Sequence, residues 1–149
     1  MIPGRSALEV EHLLLDVNGT LTNRGELIGG VEEKLRRLGQ TLVAHLLSAD
    51  TFGSLALVAS TLGVRSRVVR SGDEKAAFVR ELGPQRCVAI GNGANDTEML
   101  ARAALGITVV GAEGAATAAM LAADVVCTSI GDALDLLLDD RALAATLRP

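Results

Sequence analysis

The sequence has 149 residues, is 49% hydrophobic and carries a formal net charge of −4. This length suits one domain, over 1–149, with a sizeable core, and is too short for two ordinary domains. The charge gives no indication of a nucleic acid or an anionic membrane as a partner, and no stretch approaches the roughly 20 apolar residues that span a bilayer. We therefore expect a cytoplasmic protein.

Short runs rich in leucine or β-branched residues predict six strands. In chain order they cover 13–17, 42–47, 67–70, 87–90, 106–110 and 125–128. Two cysteines, Cys87 and Cys127, lie in such apolar runs without CxxC spacing, so we expect buried, reduced thiols.

Between the strands, apolar residues recur at the spacing of a helix face. The four faces are Val31, Leu35 and Leu38; Phe52, Leu55, Ala59 and Leu62; Phe78 and Leu82; and Leu134, Leu137 and Leu138. The tail after Asp140 is expected to be a frayed helical end. The alternation of strand and helix predicts an α/β fold: a three-layer, Rossmann-like, mostly parallel sheet with helices on both faces. Ligands of such sheets bind at the carboxyl ends of the strands.

The first strand ends in LLLDVNGTLT, where Asp16 closes the apolar run. A carboxylate at this position can attack phosphorus or bind a metal, although a simple polar strand end is an equal alternative. The second strand ends in LLSADTFG, which places the Ser48 hydroxyl and free backbone N–H groups at the same edge. The alternative is that Asp50 or Thr51 only caps the next helix.

Lys75 and a cluster of Asx residues follow the next two strands. Lys75 falls in the first turn of a helix that Ser71 or Asp73 can cap, where a lysine opposes the helix dipole unless an anion compensates it. A solvated surface lysine is the alternative. The fourth strand runs into GNGANDTEML, whose amide and carboxylate oxygens are typical of Mg²⁺ ligands.

In this order the segments resemble the signature of the haloacid dehalogenase superfamily, which is DxDGT, then Ser or Thr, then Lys, then GDxxxD or GDGxND. Here they read DVNGT at 16–20, Ser48, Lys75 and GNGAND at 91–96. The resemblance covers the chain from Leu13 to about Ser129. The wording of the motifs is most similar to small soluble relatives of the phosphorylation domain of P-type ATPases.

The resemblance implies a role for each matching residue and Mg²⁺ as the cofactor. The implied catalytic residues are Asp16 as nucleophile, Asn18 and Lys75; the phosphate ligands are Ser48, Ala49 and Lys75; the metal ligands are Asp16, Asn18 through its carbonyl, Asn92 and Asp96; and the supporting residues are Asp50 and Asn95.

Two asparagines depart from the family pattern. Asn18 stands where phosphatases carry the aspartate that transfers a proton, a function worth about 10²- to 10⁴-fold in rate. Asn92 stands where the family carries a metal-binding aspartate, so we expect weaker Mg²⁺ binding. The pumps have threonine at the position of Asn18, which favours a slow or persistent phosphoenzyme.

The segments between the motifs are too short for a cap domain, so we expect a capless member with only a small flap within 22–30. Such an open site accepts a large phosphorylated substrate or is covered by a second copy of the chain. The leading hypothesis is a slow Mg²⁺-dependent phosphohydrolase that forms an aspartyl-phosphate on Asp16. The alternative is a catalytically impaired phosphate-binding or interaction module of the same fold.

Overall fold

The computed structural model describes residues 9–51 and 53–149, which fold into a parallel sheet flanked by helices. The strands are His12–Asp16 (β1), Thr22–Asn23 (β2), Glu26–Leu27 (β3), Val43–Ser48 (β4), Arg65–Val68 (β5), Cys87–Gly91 (β6), Leu105–Val109 (β7) and Val125–Cys127 (β8). The helices are Val31–Leu38 (α1), Leu55–Leu62 (α2), Gly72–Leu82 (α3), Thr97–Arg102 (α4), Thr117–Ala122 (α5), Ile130–Leu138 (α6) and Asp140–Leu147 (α7), with short 3-10 turns at Pro84–Arg86 and Ala94–Asp96.

Six strands form the main sheet in the order β5-β4-β1-β6-β7-β8, and every neighbouring pair is parallel. The order reverses direction at β1, the point at which open parallel sheets leave a crevice for ligands. The predicted three-layer α/β fold is therefore confirmed. Each of the six predicted strands is present, with bounds that differ by at most two residues.

Alternating residues of β1 enter two separate hydrophobic layers. Leu13 and Leu15 pack with the helices α1, α2, α6 and α7, whereas Leu14 packs with α3, α4 and α5 around Phe78 and Met99. Because both faces of the strand are covered, its sequence reads as a continuous apolar run. Cys87 and Cys127 are free buried thiols, as expected, and burial raises the pKa of Cys87 to about 11.

Two helical segments differ from the sequence expectation. The helix predicted from Phe52 begins only at Leu55, after Ser54 as N-cap, and the Leu55 N–H donates to the carboxylate of Asp50 at 2.9 Å. Phe52 itself lies outside the described residues. The tail is not frayed after Asp140: Asp139 caps α7, and α7 buries Leu143 in the core.

The strands β2 and β3 form a hairpin, residues 22–27, here called the flap. Its turn has positive φ at both central residues, 51° at Arg24 and 87° at Gly25, which matches the right-handed twist of the two strands. The small flap predicted from the sequence is thus present. Among the described helices, none has the length and apolar character needed to cross a bilayer.

Candidate active site

The sheet register brings the predicted site residues to one edge. Asp16, the last residue of β1, lies opposite Leu47 in β4, one position before Ser48. On the other side, Leu15 lies opposite Ile90 in β6, so Gly91 ends that strand beside Asp16. The carboxyl ends of these three central strands therefore meet at a single location.

Asp16 is a buried carboxylate, 8% exposed, with two protein partners. Its Oδ1 accepts a hydrogen bond from Lys75 Nζ at 3.0 Å, and its Oδ2 accepts one from Thr20 Oγ1 at 3.3 Å. Burial, and then the negative charge of Asp96, raise the pKa of Asp16 to about 6, although Lys75 and Thr20 oppose the increase. The chain thus holds this carboxylate in a dry environment with one cation beside it.

Lys75, the fourth residue of α3, bridges two carboxylates. It is 2% exposed, and its ammonium lies 3.0 Å from Asp16 Oδ1 and 2.6 Å from Asp96 Oδ1. Burial lowers the pKa of Lys75, but the two negative charges raise it by more, so that the pKa lies above its ordinary value. The surface-lysine alternative is therefore wrong. Ser71 caps the helix by accepting from the Glu74 N–H.

Asp96 is fully buried and holds Lys75 in place. Its Oδ2 accepts hydrogen bonds from the backbone N–H groups of Asn92 at 3.1 Å and Gly93 at 2.9 Å, while Oδ1 faces Lys75. A Cβ at Gly91 would overlap the Asp96 carboxylate, so only glycine permits this close approach. The first glycine of GNGAND, Gly91, therefore permits the position of Asp96.

Asn92 directs its side chain to two protein groups. Its Oδ1 lies 3.3 Å from Thr20 Oγ1, whose single hydroxyl hydrogen it shares with Asp16 Oδ2, and its Nδ2 donates to the Gly114 carbonyl at 3.1 Å. Gly19, with φ of 77°, passes so close that a Cβ there would overlap the Asn92 amide. The carboxamide therefore packs tightly between the loop after β1 and the loop after β7.

Ser48 lies at the edge beside Asp16 and is 6% exposed. Its Oγ accepts from the Asp50 N–H at 3.0 Å, which leaves the hydroxyl hydrogen available to another acceptor. Ala49 follows on the exposed side of the same turn. Asp50 has positive φ, 56°, and its carboxylate accepts from the Leu55 N–H. The N-cap residue of α2 is Ser54, so the interpretation of Asp50 or Thr51 as the N-cap is wrong.

Asn18 is exposed at the mouth of the site, in contrast to the buried Asp16 two residues earlier. It lines a cavity of about 530 Å³ next to the flap. The remaining lining residues are Val17, Thr22, Arg24, Gly25, Ser54, Val58 and Glu113. A larger depression of about 790 Å³ lies at the opposite edge of the sheet beside Val43 and Arg65, and it contains no predicted site residue.

The oxygens near Asp16 are the type of ligand that a divalent cation such as Mg²⁺ prefers. No group of three or more His, Cys, Asp and Glu residues is placed to hold a metal within the described part of the chain. The donor set is instead two carboxylates, Asp16 and Asp96, with the Asn18 carbonyl in the same loop as Asp16. Mg²⁺ is commonly held by one or two carboxylates together with waters and phosphate, so this set fits it.

The two histidines lie at the opposite end of the central strands. His12 Nδ1 lies 3.1 Å from His45 Nε2, and the His45 ring packs edge-on against Phe78. The sequence indicated no separate role for Thr20, although it is the threonine of the DVNGT motif. Glu113 was not predicted either, and nothing in the sequence near it indicates its contact with the flap.

Comparison with known proteins identifies the class to which this fold and site belong. The family model of haloacid dehalogenase-like hydrolases matches residues 43–132, more than half of the chain. The chain belongs to this family. Uncharacterized protein MJ0073 of Methanocaldococcus jannaschii is 50% identical over 64 residues, which are 43% of this chain and 69% of that protein.

Solved structures of two phosphatases share the fold at low sequence identity. The 3-deoxy-D-manno-octulosonate 8-phosphate phosphatase of Moraxella catarrhalis, in complex with magnesium, phosphate and KDO, is 18% identical with a TM-score of 0.74 over 95% of both chains. The cobalt-bound deoxy-D-mannose-octulosonate 8-phosphate phosphatase of Haemophilus influenzae is 15% identical with a TM-score of 0.74, over 95% of this chain and 94% of that one.

Proposed function

We propose that this chain is a slow, Mg²⁺-dependent phosphohydrolase that forms an aspartyl-phosphate on Asp16. The observation that carries the proposal is the buried ammonium of Lys75, which joins Asp16 and Asp96 at the edge where the sheet offers its ligand site. A buried lysine between two carboxylates costs desolvation, and a phosphoryl group beside it would use the same positive charge.

In the first step, an oxygen of the Asp16 carboxylate attacks phosphorus, and the bond from phosphorus to the leaving oxygen breaks. Lys75 and the Ser48 hydroxyl, with the Ala49 N–H, would hold the equatorial phosphoryl oxygens, whose charge increases during transfer. In the second step, water attacks phosphorus, Asp16 leaves as the carboxylate and inorganic phosphate is released. The sum is hydrolysis of a phosphoester.

Proton transfer is the weak part of this reaction. The leaving oxygen needs a proton, and the attacking water must lose one, but the carboxamide of Asn18 cannot carry out either transfer. Solvent water would supply and accept these protons, which the exposure of Asn18 permits. We therefore propose a phosphoenzyme that persists, as in the pump domains that the motifs resemble.

Mg²⁺, when bound, would neutralise charge on the phosphoryl group and orient it toward Asp16. The residues proposed to hold it are Asp16, the Asn18 carbonyl and Asp96, with the Asn92 Oδ1 nearby. This ion lacks one negative ligand relative to the family pattern, because position 92 is an amide. We therefore expect the protein to reach half-saturation at a higher Mg²⁺ concentration than a site with three carboxylates would.

The cavity beside Asn18 is the proposed position of the leaving group. Its walls combine aliphatic groups from Val17 and Val58 with the hydroxyl of Ser54 and the charged residues Arg24 and Glu113. A polar phosphomonoester or acyl phosphate suits this mixture. The flap is short, so a second copy of the chain is proposed as a further cover, which light scattering of the purified protein would reveal.

A second candidate is a phosphate-binding module without turnover, which the amides at positions 18 and 92 favour. A panel of phosphomonoesters and acyl phosphates, assayed with the parent and with Asn18→Asp, distinguishes the two. Release of phosphate by Asn18→Asp that depends on Mg²⁺ and on Asp16 supports the hydrolase. No release from any substrate by either protein, both shown to be folded, would leave the binding module.

A further inference from the structure

The Asn92 carboxamide joins two loops that no strand pairing connects. Its Oδ1 shares the hydroxyl hydrogen of Thr20, at 3.3 Å in the loop that follows Asp16, and its Nδ2 donates to the Gly114 carbonyl at 3.1 Å, in the loop after β7. An aspartate here would keep the acceptor but lose the donor, and its charge would face the carbonyl oxygen of Gly114. The amide is thus the group that both contacts require.

Residues 111–114, here called the Glu113 loop, form a tight turn next to Asn92. The Gly114 N–H donates to the Gly111 carbonyl at 2.9 Å, and Gly114 has φ of 73°. Immediately after the turn, the Ala116 N–H donates to the Asn92 carbonyl at 2.8 Å. Asn92 therefore fixes this loop through its side chain and through its backbone.

The Glu113 loop in turn holds the flap. Glu113 Oε2 accepts from the backbone N–H of Arg24 at 3.1 Å, at the hairpin turn where φ of Arg24 is 51°. Thr22, Arg24, Gly25 and Glu113 all line the cavity of about 530 Å³ that also contains Asn18. The hydrogen-bond path from Thr20 through Asn92, Gly114 and Glu113 thus ends at a wall of this cavity.

We infer that Asn92 is a positioning residue, which sets the flap against the cavity beside Asn18 by holding the Glu113 loop. It replaces the charge of a carboxylate with a rigid connection between the nucleophile loop and the wall that the leaving group contacts. The position of the flap can be measured whether or not the protein turns over a substrate. The effect on substrate rests on the proposed function.

The test is hydrogen exchange of the full-length protein, followed by mass spectrometry, for the parent, Asn92→Asp, Glu113→Ala and their combination. Loss of one hydrogen bond from the path should raise exchange about tenfold in the peptides that cover 22–27 and 111–116 in Asn92→Asp. Glu113→Ala should raise it in 22–27 alone. Asn95→Asp, the same chemical change at an exposed residue of the same loop, should leave both segments as in the parent.

The combined variant separates a path from two independent effects. If Asn92 acts through Glu113, exchange in 22–27 is no faster in the combination than in Glu113→Ala. For a bulky phosphomonoester, Glu113→Ala should raise KM several-fold with a smaller change in kcat. Parent-like exchange at 22–27 in Asn92→Asp, or additive effects in the combination, would overturn the inference even if no activity is found.

Should Asn92→Asp fail to fold, Glu113→Ala carries the same test, because Glu113 is exposed. Exchange at 22–27 that is unchanged in Glu113→Ala would also overturn the inference. Faster exchange confined to that segment would support it. These exchange measurements need only folded protein. A failure of the hydrolase proposal therefore remains distinguishable from a failure of the positioning role inferred for Asn92.

Discussion

Lys75 Nζ lies 3.0 Å from Asp16 Oδ1, although the two residues are 59 positions apart in the chain. Neither side chain is more than about a tenth exposed, so the pair is a buried one, completed by Asp96 on the other side of the ammonium. The folded state must supply this arrangement, because either carboxylate alone in a dry site would be costly.

Replacing Lys75 by methionine keeps the volume of the side chain and removes the charge. Asp16 and Asp96 then face each other without a cation, and we expect a loss of about 3 to 5 kcal/mol in the free energy of unfolding. Urea unfolding at pH 7 measures it. Lys34→Met is the matched control: its ion pair with Asp135 is partly exposed, 29% at Lys34 and 56% at Asp135, so a loss of about 1 kcal/mol or less is expected. Equal effects would contradict a buried, stabilising role for Lys75.

Asn18→Asp introduces a side chain that can transfer protons where the parent has none. If Asn18 limits turnover, hydrolysis of an acyl phosphate should increase about 10²- to 10⁴-fold. Steady-state release of phosphate gives the comparison, and the double variant Asp16→Asn with Asn18→Asp should abolish the gain. A rate equal to that of the parent would mean that proton transfer is not the limiting step.

The stability should decrease in acid through His45. Burial, followed by the charges of His12, Arg65 and Arg67, lowers the pKa of His45 to about 4 from 6.5. The folded state therefore binds the proton less readily than the unfolded state, so stability is full above pH 6.5 and falls by up to about 3 kcal/mol as the pH decreases to 4. Urea unfolding at pH 7 and pH 4 should show a smaller loss for His45→Gln. An identical loss in the two proteins would reject this assignment.

Gly19 is required for more than its backbone conformation. It has φ of 77°, and a Cβ there would overlap the Asn92 amide, whereas Gly63 has φ of 68° and open space around it. We expect Gly63→Ala to cost about 1 to 2 kcal/mol from backbone strain alone. Gly19→Ala should cost more, about 2 to 4 kcal/mol, because the amide must also move. Equal melting temperatures of the two variants would show that the loop adapts freely.

The order of the main elements could be predicted because each strand or helix is indicated by the pattern of apolar residues within its own segment. Runs such as LLLD are apolar on both faces, so they mark central parallel strands, and the strand ends then locate Asp16, Ser48 and Asp96 together. The start of α2 could not be predicted in this way, since its N-cap, Ser54, makes no capping hydrogen bond with its side chain. The Leu55 N–H bonds instead to Asp50, which lies in a turn with positive φ. The expectation of a frayed end after Asp140 was also wrong, because the cap at Asp139 and the buried Leu143 stabilise α7 as a helix.

The side-chain contacts of Asn92 could not be predicted from the sequence. The motif suggested a metal ligand at this position, which stays a prediction. Its hydrogen bonds to Thr20 and Gly114 depend on how two loops meet in space, and no spacing within either loop indicates them. For the same reason, the contact between Glu113 and the flap became visible only in the folded chain.

Acid-quenched phosphorylation tests the central claim most directly. The folded protein is incubated with acetyl phosphate and Mg²⁺, quenched in acid and digested, and the peptides are mapped by mass spectrometry. We predict one phosphoryl group, on Asp16, that is absent from Asp16→Asn and shorter-lived in Asn18→Asp. Asp16 that stays unmodified in the parent and in the control variant Lys34→Met would contradict the proposed phosphoenzyme. Phosphorylation of Asp16→Asn to the same extent as the parent would contradict it as well.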